Sequence, residues 1–351
     1  MTMGSTESSG VMLKWSLQQR GRQQPMSEMR HMDAGEARAL DAKDSKEVFG
    51  ETMARLADAY PLLSVVVSDY GRRLSLDDLK VRHPDAFVQC GIAEQNQIEV
   101  AAALANEGGP VFAVSYAPFI TARVLDQIRV NLGMMESPVI LVGLGAGYAV
   151  GELGASHMGL EDIADMRAIP NLTVVSPRDN AELALALEEL AAHPRPAYVR
   201  ITTGTFLEPT DAGVDFRIGT GTLLAGPEDA EVVLIATGSL CAAAADAQEM
   251  LATQGISCAL AELATIKPLD TAFLDQFLGA HLWVSVEEHT RIGGFGSALA
   301  EYLAPLAKRP PLVPVAAPDA YLEADTQTHL RKRAGLTSEA IAKTVLQRLG
   351  K

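Results

Sequence analysis

The sequence predicts an α/β fold of two doubly wound domains, each with a largely parallel sheet covered by helices on both faces. Short, continuous apolar runs such as 62–68 (LLSVVVS) and 232–236 (VVLIA) alternate with segments of helical periodicity. Strands of this kind are typical of parallel sheets that are buried on both faces. The length of 351 residues allows about two domains of roughly 100–200 residues each.

The composition limits the classes of function. Apolar residues make up 48% of the chain and charged residues 21%, as in a globular protein with a substantial core. The net charge of −15 and the aromatic content of 5% argue against nucleic acid and anionic membranes as partners. The three cysteines are widely separated, which predicts neither disulfides nor structural zinc and favours a cytoplasmic location. We predict no metal ligands in this chain.

Residues 1–44 differ in composition from the rest. The stretch 1–24 is rich in Ser, Gly, Gln and Arg and contains neither apolar periodicity nor the apolar segment of a secretory signal. We therefore expect residues 1–44 to form a disordered tail or to result from a misplaced start codon. A tail that becomes ordered on a partner is the alternative.

Residues 45–205 are predicted to form the first domain. Apolar residues at helical spacing between Phe49 and Ala57 predict its first helix. A further predicted helix runs to Ala192 and is capped by Asp179, whose carboxylate can accept hydrogen bonds from the free amides of the first turn. The other predicted elements are strands at 62–68, 87–90, 110–115, 138–143, 172–176 and 198–201 and helices at 94–106, 119–132 and 160–168.

Residues 215–351 are predicted to form the second domain. Thr, Pro, Asp and Gly cluster at 204–214, which predicts a linker between the domains. The alternation then resumes, with predicted strands at 231–237, 256–260 and 281–286 and predicted helices at 242–254, 270–278, 294–306 and 338–349.

Three segments that follow predicted strands carry candidate functional residues, since ligands of parallel sheets bind at the carboxyl ends of strands. Glu94 begins a helix after 87–90, although a lone acid there more often only favours the helix dipole. Tyr116 and Phe119 can enclose a flat ligand, or can form a simple core contact. His157 ends the glycine-rich loop 145–156 (GAGYAVGELGAS), a setting typical of binding loops.

Taken together, these segments resemble the transketolase-like family of thiamine-diphosphate enzymes. The resemblance extends from about residue 45 to the C-terminus and rests on an ordered set of motifs. In the first domain they are GIAEQN (91–96), YAPFxxxRxxDQIR (116–129), Ser156 and His157 with Glu161 and Asp162, and MRAIPNLTVVSPRD (166–179). In the second they are IATGS (235–239), TIKPLD (265–270), VEEH (286–289) and GGFGSALAE (293–301). The first domain thus resembles the family's pyrimidine-binding domain, and the second its C-terminal domain.

The resemblance implies roles for the candidate residues. Glu94 corresponds to the glutamate that faces N1′ of the cofactor's aminopyrimidine and exchanges a proton with it. Tyr116 and Phe119 correspond to the aromatic residues around the pyrimidine. His157 corresponds to the histidine that reaches the substrate, where it can donate or accept a proton at a sugar hydroxyl.

The resemblance also implies a partner. The family has a diphosphate-binding domain with a GDG motif and a following Asn that hold Mg²⁺, and this sequence contains no GDG motif. We therefore expect a separate subunit to hold the diphosphate and Mg²⁺ of thiamine diphosphate in an α2β2 assembly, with the active site at the shared interface. By itself, this chain would bind the cofactor weakly.

The predicted substrate contacts follow the family pattern less closely. Leu153 occupies a position where many transketolases have Asp, and Thr203 one where an arginine often binds sugar phosphate. Arg200 lies three residues before Thr203, and Lys46 is a basic residue near the start of the domain. We assign Lys46, Arg200 and His157 to substrate binding, while the sugar and its phosphorylation stay open.

The leading hypothesis is the pyrimidine-binding subunit of a split transketolase, which transfers a two-carbon ketol unit from a ketose to an aldehyde. Two alternatives stay open: a β subunit of a 2-oxoacid dehydrogenase E1, and a non-catalytic scaffold subunit. Residues 287–289, which precede a glycine-rich turn, are predicted to be structural, and Cys90 is predicted to serve packing.

Overall fold

The computed structural model describes residues 28–69, 74–204 and 206–351. The strands are β1 (Arg30–Met32), β2 (Ser64–Val67), β3 (Phe87–Gln89), β4 (Val111–Tyr116), β5 (Val139–Leu144), β6 (Thr173–Val175), β7 (Ala197–Arg200), β8 (Val214–Phe216), β9 (Thr222–Ala225), β10 (Val232–Ala236), β11 (Cys258–Glu262), β12 (Thr265–Lys267), β13 (Leu282–Thr290) and β14 (Leu312–Ala317). The α-helices are α1 (Ala34–Asp41), α2 (Ser45–Ala59), α3 (Asp77–Arg82), α4 (Glu94–Ala105), α5 (Ala117–Ile120), α6 (Leu125–Ile128), α7 (Asp162–Ala168), α8 (Asn180–Ala192), α9 (Cys241–Thr253), α10 (Thr271–Asp275), α11 (Phe295–Leu303), α12 (Gln327–Ala334) and α13 (Ser338–Leu349).

Two sheets carry the fold. The first has the strand order β12–β6–β7–β5–β4–β2–β3, and the second has the order β14–β13–β10–β11–β9. Within these two sheets all neighbouring strands are parallel except β12, which is antiparallel to β6, and β9, which is antiparallel to β11. The central strands β2, β4, β5 and β10 are buried along their whole length. The predicted α/β class with mostly parallel sheets is confirmed.

The predicted tail at 1–44 is wrong for its last part. Residues 1–27 lie outside the described residues, but β1 pairs antiparallel with β8 beyond the linker, and α1 follows it directly. Asp33 caps α1 by accepting hydrogen bonds from the backbone of Gly35 and Glu36. Met32 and Ala37 are buried against β8 and α8, so this segment belongs to the folded body. The segment has too few apolar residues for a helical or strand periodicity to be visible in the sequence.

The predicted helix at 119–132 is interrupted. The helix α5 ends at Ile120, a 3₁₀ turn occupies 122–124, α6 follows, and a π-helical turn occupies 129–134. The Oγ1 of Thr121 donates a hydrogen bond of 2.6 Å to the carbonyl of Ala117, the group that the amide of residue 121 would use in a continuous helix. This break places Arg123 in an irregular turn.

The two sheets are not separate in sequence. The strand β12 belongs to the second half of the chain, yet it extends the first sheet beyond β6. Lys267 in β12 donates hydrogen bonds to the carbonyls of Arg167 and Ile169. The predicted second domain at 215–351 therefore contributes one strand to the first.

Candidate active site

The site is centred on Glu94, at the carboxyl end of β3. Gly91 has a φ of +73°, a conformation that favours glycine, and it turns the chain from the strand into α4. Glu94 is the first residue of α4, and its carboxylate is buried, with the side chain 4% exposed. The local chain path therefore turns one carboxylate inwards at a sheet edge.

Three rings lie close together at this site. Tyr116 ends β4, Phe119 lies one turn later in α5, and His157 comes from the loop after β5. The ring centroids are 5.9 Å apart for Tyr116 and Phe119, 5.3 Å for Tyr116 and His157, and 5.1 Å for Phe119 and His157. We call these three residues the aromatic triangle. The structure thus brings together side chains that the sequence places on separate segments.

Arg123 completes the group; it belongs to the motif at 116–129, but sequence reasoning gave it no role. Its guanidinium lies 3.8 Å above the centroid of the Phe119 ring, and its Nη1 donates a hydrogen bond of 3.0 Å to Glu94 Oε2. Arg123 is therefore what connects Glu94 to the aromatic triangle. The motif at 116–129 was the available signal, because it contains Arg123 together with Tyr116 and Phe119.

The second domain supports the loop that carries His157. Glu288 is buried in β13, and its Oε1 accepts a hydrogen bond from the backbone of Tyr148 in that loop. Arg331 in α12 donates to both carboxylate oxygens of Glu288, at 2.9 and 2.6 Å. Burial opposes ionisation of Glu288, but the Arg331 guanidinium holds the pKa of this carboxyl below its usual value. A Cβ at Gly151 would meet Leu330 of α12, so loop and helix pack tightly.

The prediction that Arg200 binds substrate is wrong. Arg200 is 2% exposed, and its Nε donates to Asp162 Oδ2 at 2.8 Å. Its Nη2 donates to the carbonyls of Gly159 and Glu288, at 3.1 and 2.7 Å. Arg200 ends β7 as expected, but the loop after β5 and the strand β13 cover it, and it holds these two segments together.

Lys46, the remaining basic residue assigned to substrate binding, is not joined to this site, and Thr203 and Leu153, which depart from the family pattern, have other surroundings. Lys46 is half-buried in the first turn of α2, and no contact between it and Glu94 or Arg123 occurs in the described part of the chain. The Oγ1 of Thr203 donates to Gln327 of α12. Leu153 is 52% exposed in the loop before His157. The role of Lys46 stays a prediction.

The segment 287–289 is buried and structural in its contacts. The carboxylate of Glu287 accepts hydrogen bonds from the backbone of Phe295 and Gly296 at the start of α11. Burial raises the pKa of Glu287 to about 7 and lowers that of His289 to about 4. The Glu287 contacts join β13 to the start of α11.

A second buried group of charges lies where the two sheets meet. Arg178, Asp179 and Glu182 lie between β6 and the first turn of α8, and Glu262 ends β11. The guanidinium of Arg178 contacts all three carboxylates, at 2.9, 2.6 and 3.2 Å in that order. We call these four residues the Arg178 cluster. Burial and the nearby Glu182 carboxylate raise the pKa of Glu262 well above its usual value.

The described residues contain no group of three or more His, Cys, Asp or Glu side chains that could hold a metal ion. No helix in the same part of the chain is long and apolar enough to span a membrane. Burial raises the pKa of the Cys90 thiol.

This chain is similar to known proteins in both sequence and structure. Residues 41–206 match the family model described as the pyrimidine-binding domain of transketolase, and residues 221–341 match its C-terminal domain. One subunit of an apulose-4-phosphate transketolase from Phocaeicola vulgatus is 31% identical, over 86% of this chain and 96% of its own length. A 1-deoxy-D-xylulose-5-phosphate synthase from Methylacidiphilum infernorum is also 31% identical, but this chain covers only 48% of its length. A solved structure described as a split-gene transketolase in an inactive β4 tetramer has a TM-score of 0.76 at 30% identity, over 86% of this chain and 97% of its own.

Proposed function

The chain belongs to the transketolase family, and on that premise we propose that it is the pyrimidine-binding subunit of a split, thiamine-diphosphate-dependent transketolase. It transfers a two-carbon ketol unit from a ketose to an aldehyde acceptor. The observation that carries this proposal is the placement of the buried Glu94 carboxylate beside the aromatic triangle, with a planar cation between them.

The residues present fit an aminopyrimidine. Such a ring is flat, and it can carry a proton on a nitrogen. Its binding site therefore needs an aromatic surface and a carboxylate that are close enough for one ring to contact both. The guanidinium of Arg123 is also flat and cationic, and it makes both contacts, with the Phe119 ring and with Glu94 Oε2. A side chain of this shape and charge therefore already occupies a position that suits the ring.

When bound, thiamine diphosphate supplies a carbon nucleophile and an electron sink for the ketol unit. Glu94 would hold and return a proton at N1′ of the pyrimidine, since a carboxylate so little exposed has few competing water contacts. Tyr116 and Phe119 would enclose the pyrimidine and exclude water. His157 would donate or accept a proton at a substrate hydroxyl, because its ring adjoins both aromatic rings while remaining partly exposed.

A partner subunit would complete the site. The similar apulose-4-phosphate transketolase chain is named as one subunit of its enzyme, and the similar split-gene structure is described as inactive in its β4 form. This chain also spans about half of the 1-deoxy-D-xylulose-5-phosphate synthase that it matches. The missing half would hold the diphosphate and Mg²⁺, in an α2β2 assembly.

The sugar is proposed only as a class. The burial of Arg200 removes one predicted phosphate contact. Lys46 and His157 remain candidates, and Leu153 replaces an acid that many relatives of the family carry in the loop. A ketose with a weakly bound or absent phosphate is therefore the substrate class that these residues favour.

The test mixes the purified chain with a diphosphate-domain transketolase subunit encoded in the same genome, with thiamine diphosphate and Mg²⁺. Ketol transfer is measured from phosphorylated and unphosphorylated ketoses to aldehydes. We expect turnover from the mixture and none from either subunit alone. Full turnover by this chain alone would overturn the partner requirement, and release of CO₂ from pyruvate without ketol transfer would overturn the reaction.

A further inference from the structure

We propose that Arg123 is an internal placeholder for the cofactor's pyrimidine, so that cofactor binding must displace its side chain from Glu94 and Phe119. This inference rests on the proposed function, because it concerns the same cofactor. It adds a competition between a side chain of the protein and the ring that the site receives.

The first argument is the identity of the contacts. Arg123 lies over the Phe119 ring at 3.8 Å and donates to Glu94 Oε2 at 3.0 Å. These are the aromatic surface and the carboxylate that an aminopyrimidine would use. A pyrimidine ring that takes this ring face and this carboxylate oxygen has to displace the Arg123 guanidinium from both.

The second argument is the asymmetry of exposure. The Arg123 side chain is 38% exposed, whereas that of Glu94 is 4% exposed. Within the described residues, Arg123 is the only side chain that donates a hydrogen bond to Glu94. The carboxylate would otherwise be buried without a charged partner, which is costly. The arginine therefore gives the carboxylate a charged partner, while its own guanidinium stays partly exposed in this chain.

The third argument is the position of Arg123 in the chain. It lies in the 3₁₀ turn between α5 and α6, where Thr121 interrupts the helix. Thr121 has φ −118° and ψ −87°, and Val124 has φ −121° and ψ 22°, so neither flanking residue is helical. Because the backbone around Arg123 is not held by continuous α-helical hydrogen bonds, a shift of the turn can accompany the release of the side chain.

The test is the affinity for thiamine diphosphate in the presence of Mg²⁺, measured by titration calorimetry on the full chain with its partner subunit. Arg123→Met removes the charge but keeps much of the length and apolar surface. We expect this variant to bind thiamine diphosphate about 3- to 10-fold more tightly than the wild type, because nothing has to be displaced. Arg129→Met is the matched control, since Arg129 pairs with Asp126 on the exposed surface of the same region. The control should bind as the wild type does.

A second measurement does not depend on the variant. In the ¹⁵N-labelled wild-type assembly, the Nε–H resonance of Arg123 should shift as thiamine diphosphate saturates the site, and that of Arg129 should not. Unchanged or weaker affinity of Arg123→Met, or an Arg123 resonance that does not respond to saturating cofactor, would overturn the proposal. If the wild type itself neither binds the cofactor nor transfers ketol units, the proposed function has failed instead.

Discussion

Glu94 and Glu262 are buried glutamates that each face an arginine, and their surroundings differ. Glu94 has one arginine, Arg123, whose side chain is 38% exposed and rests on an aromatic ring. Glu262 shares the buried Arg178, 8% exposed, with Asp179 and Glu182. The first pair can open towards solvent, whereas the second cannot open without separating the two sheets. On the proposed function, exposure of the cation separates the carboxylate of the active site from one that holds the fold.

The largest expected effect is on catalysis at the first pair. Glu94→Gln keeps the shape of the side chain but cannot hold or return a proton. We expect ketol transfer to fall about 10²- to 10⁴-fold, with assembly and the urea midpoint almost unchanged. Steady-state assays of the reconstituted enzyme measure this. Glu107→Gln, at an exposed position beyond the end of the same helix, should be fully active, and near-normal turnover of Glu94→Gln would remove the role assigned to Glu94.

The next largest effect is expected on the free energy of unfolding, at Arg178 and the carboxyl groups around it. Arg178→Met leaves three buried carboxylates without their cation, so we expect the free energy of unfolding to fall by about 3–5 kcal/mol. Urea denaturation followed by circular dichroism measures the change. Arg129→Met, which removes an exposed pair with Asp126, should change it by less than about 1 kcal/mol. Equal values for the two variants would contradict the distinction between the pairs.

The pH dependence of stability should reflect the raised pKa values of the buried carboxyl groups. Burial raises the pKa of Asp41 to about 7, with the Asp179 charge adding to it, and that of Glu287 to about 7. These groups hold protons in the folded chain that the unfolded chain has lost, so stability falls as pH rises through their folded pKa values. The low pKa of His289, about 4, acts in the opposite direction, but only below about 6.5. Between pH 6.5 and 8 we therefore expect the free energy of unfolding to fall by about 1–3 kcal/mol, and a rise over this range would contradict the assignment.

The smallest effect is expected at Glu262 itself. Burial and the nearby Glu182 carboxylate raise the pKa of Glu262 well above its usual value, so this position favours a neutral side chain. Glu262→Gln keeps the shape and supplies a neutral group, so it should cost less than about 1 kcal/mol. Urea denaturation of the variant and the wild type at the same pH checks this. A loss as large as that of Arg178→Met would contradict the expectation.

Local sequence patterns were sufficient to predict the position of a side chain where a strand ends or a helix begins. Glu94, Tyr116, Phe119 and His157 became candidates this way, and their assigned roles came from the resemblance to the transketolase-like family. Asp179 was identified as a helix cap for the same local reason, and it accepts a hydrogen bond from the backbone of Glu182. The grouping of the four candidates was thus predictable, whereas the contacts of Arg123 were not.

What could not be predicted depends on contacts between distant segments. Arg200 ends a strand, as predicted, but its burial is decided by Gly159 and Glu288, which lie 41 and 88 residues away. The strands β1 and β12 have three residues each, too few for an alternation to be visible, and their partners are remote in sequence. The helix break at Thr121 depends on a side-chain hydrogen bond that competes with the backbone.

The placement of β12 in the first sheet has a consequence for recombining parts of this protein. A fragment ending in the linker would lose β12 and expose the edge of β6, and free strand edges promote aggregation. A chimera that combines the two halves from different relatives would pair β12 of one protein with β6 of another. The pairing is kept only if residues 265–267 come from the same protein as the first sheet. At this junction a chimera therefore has to exchange the two sheets together.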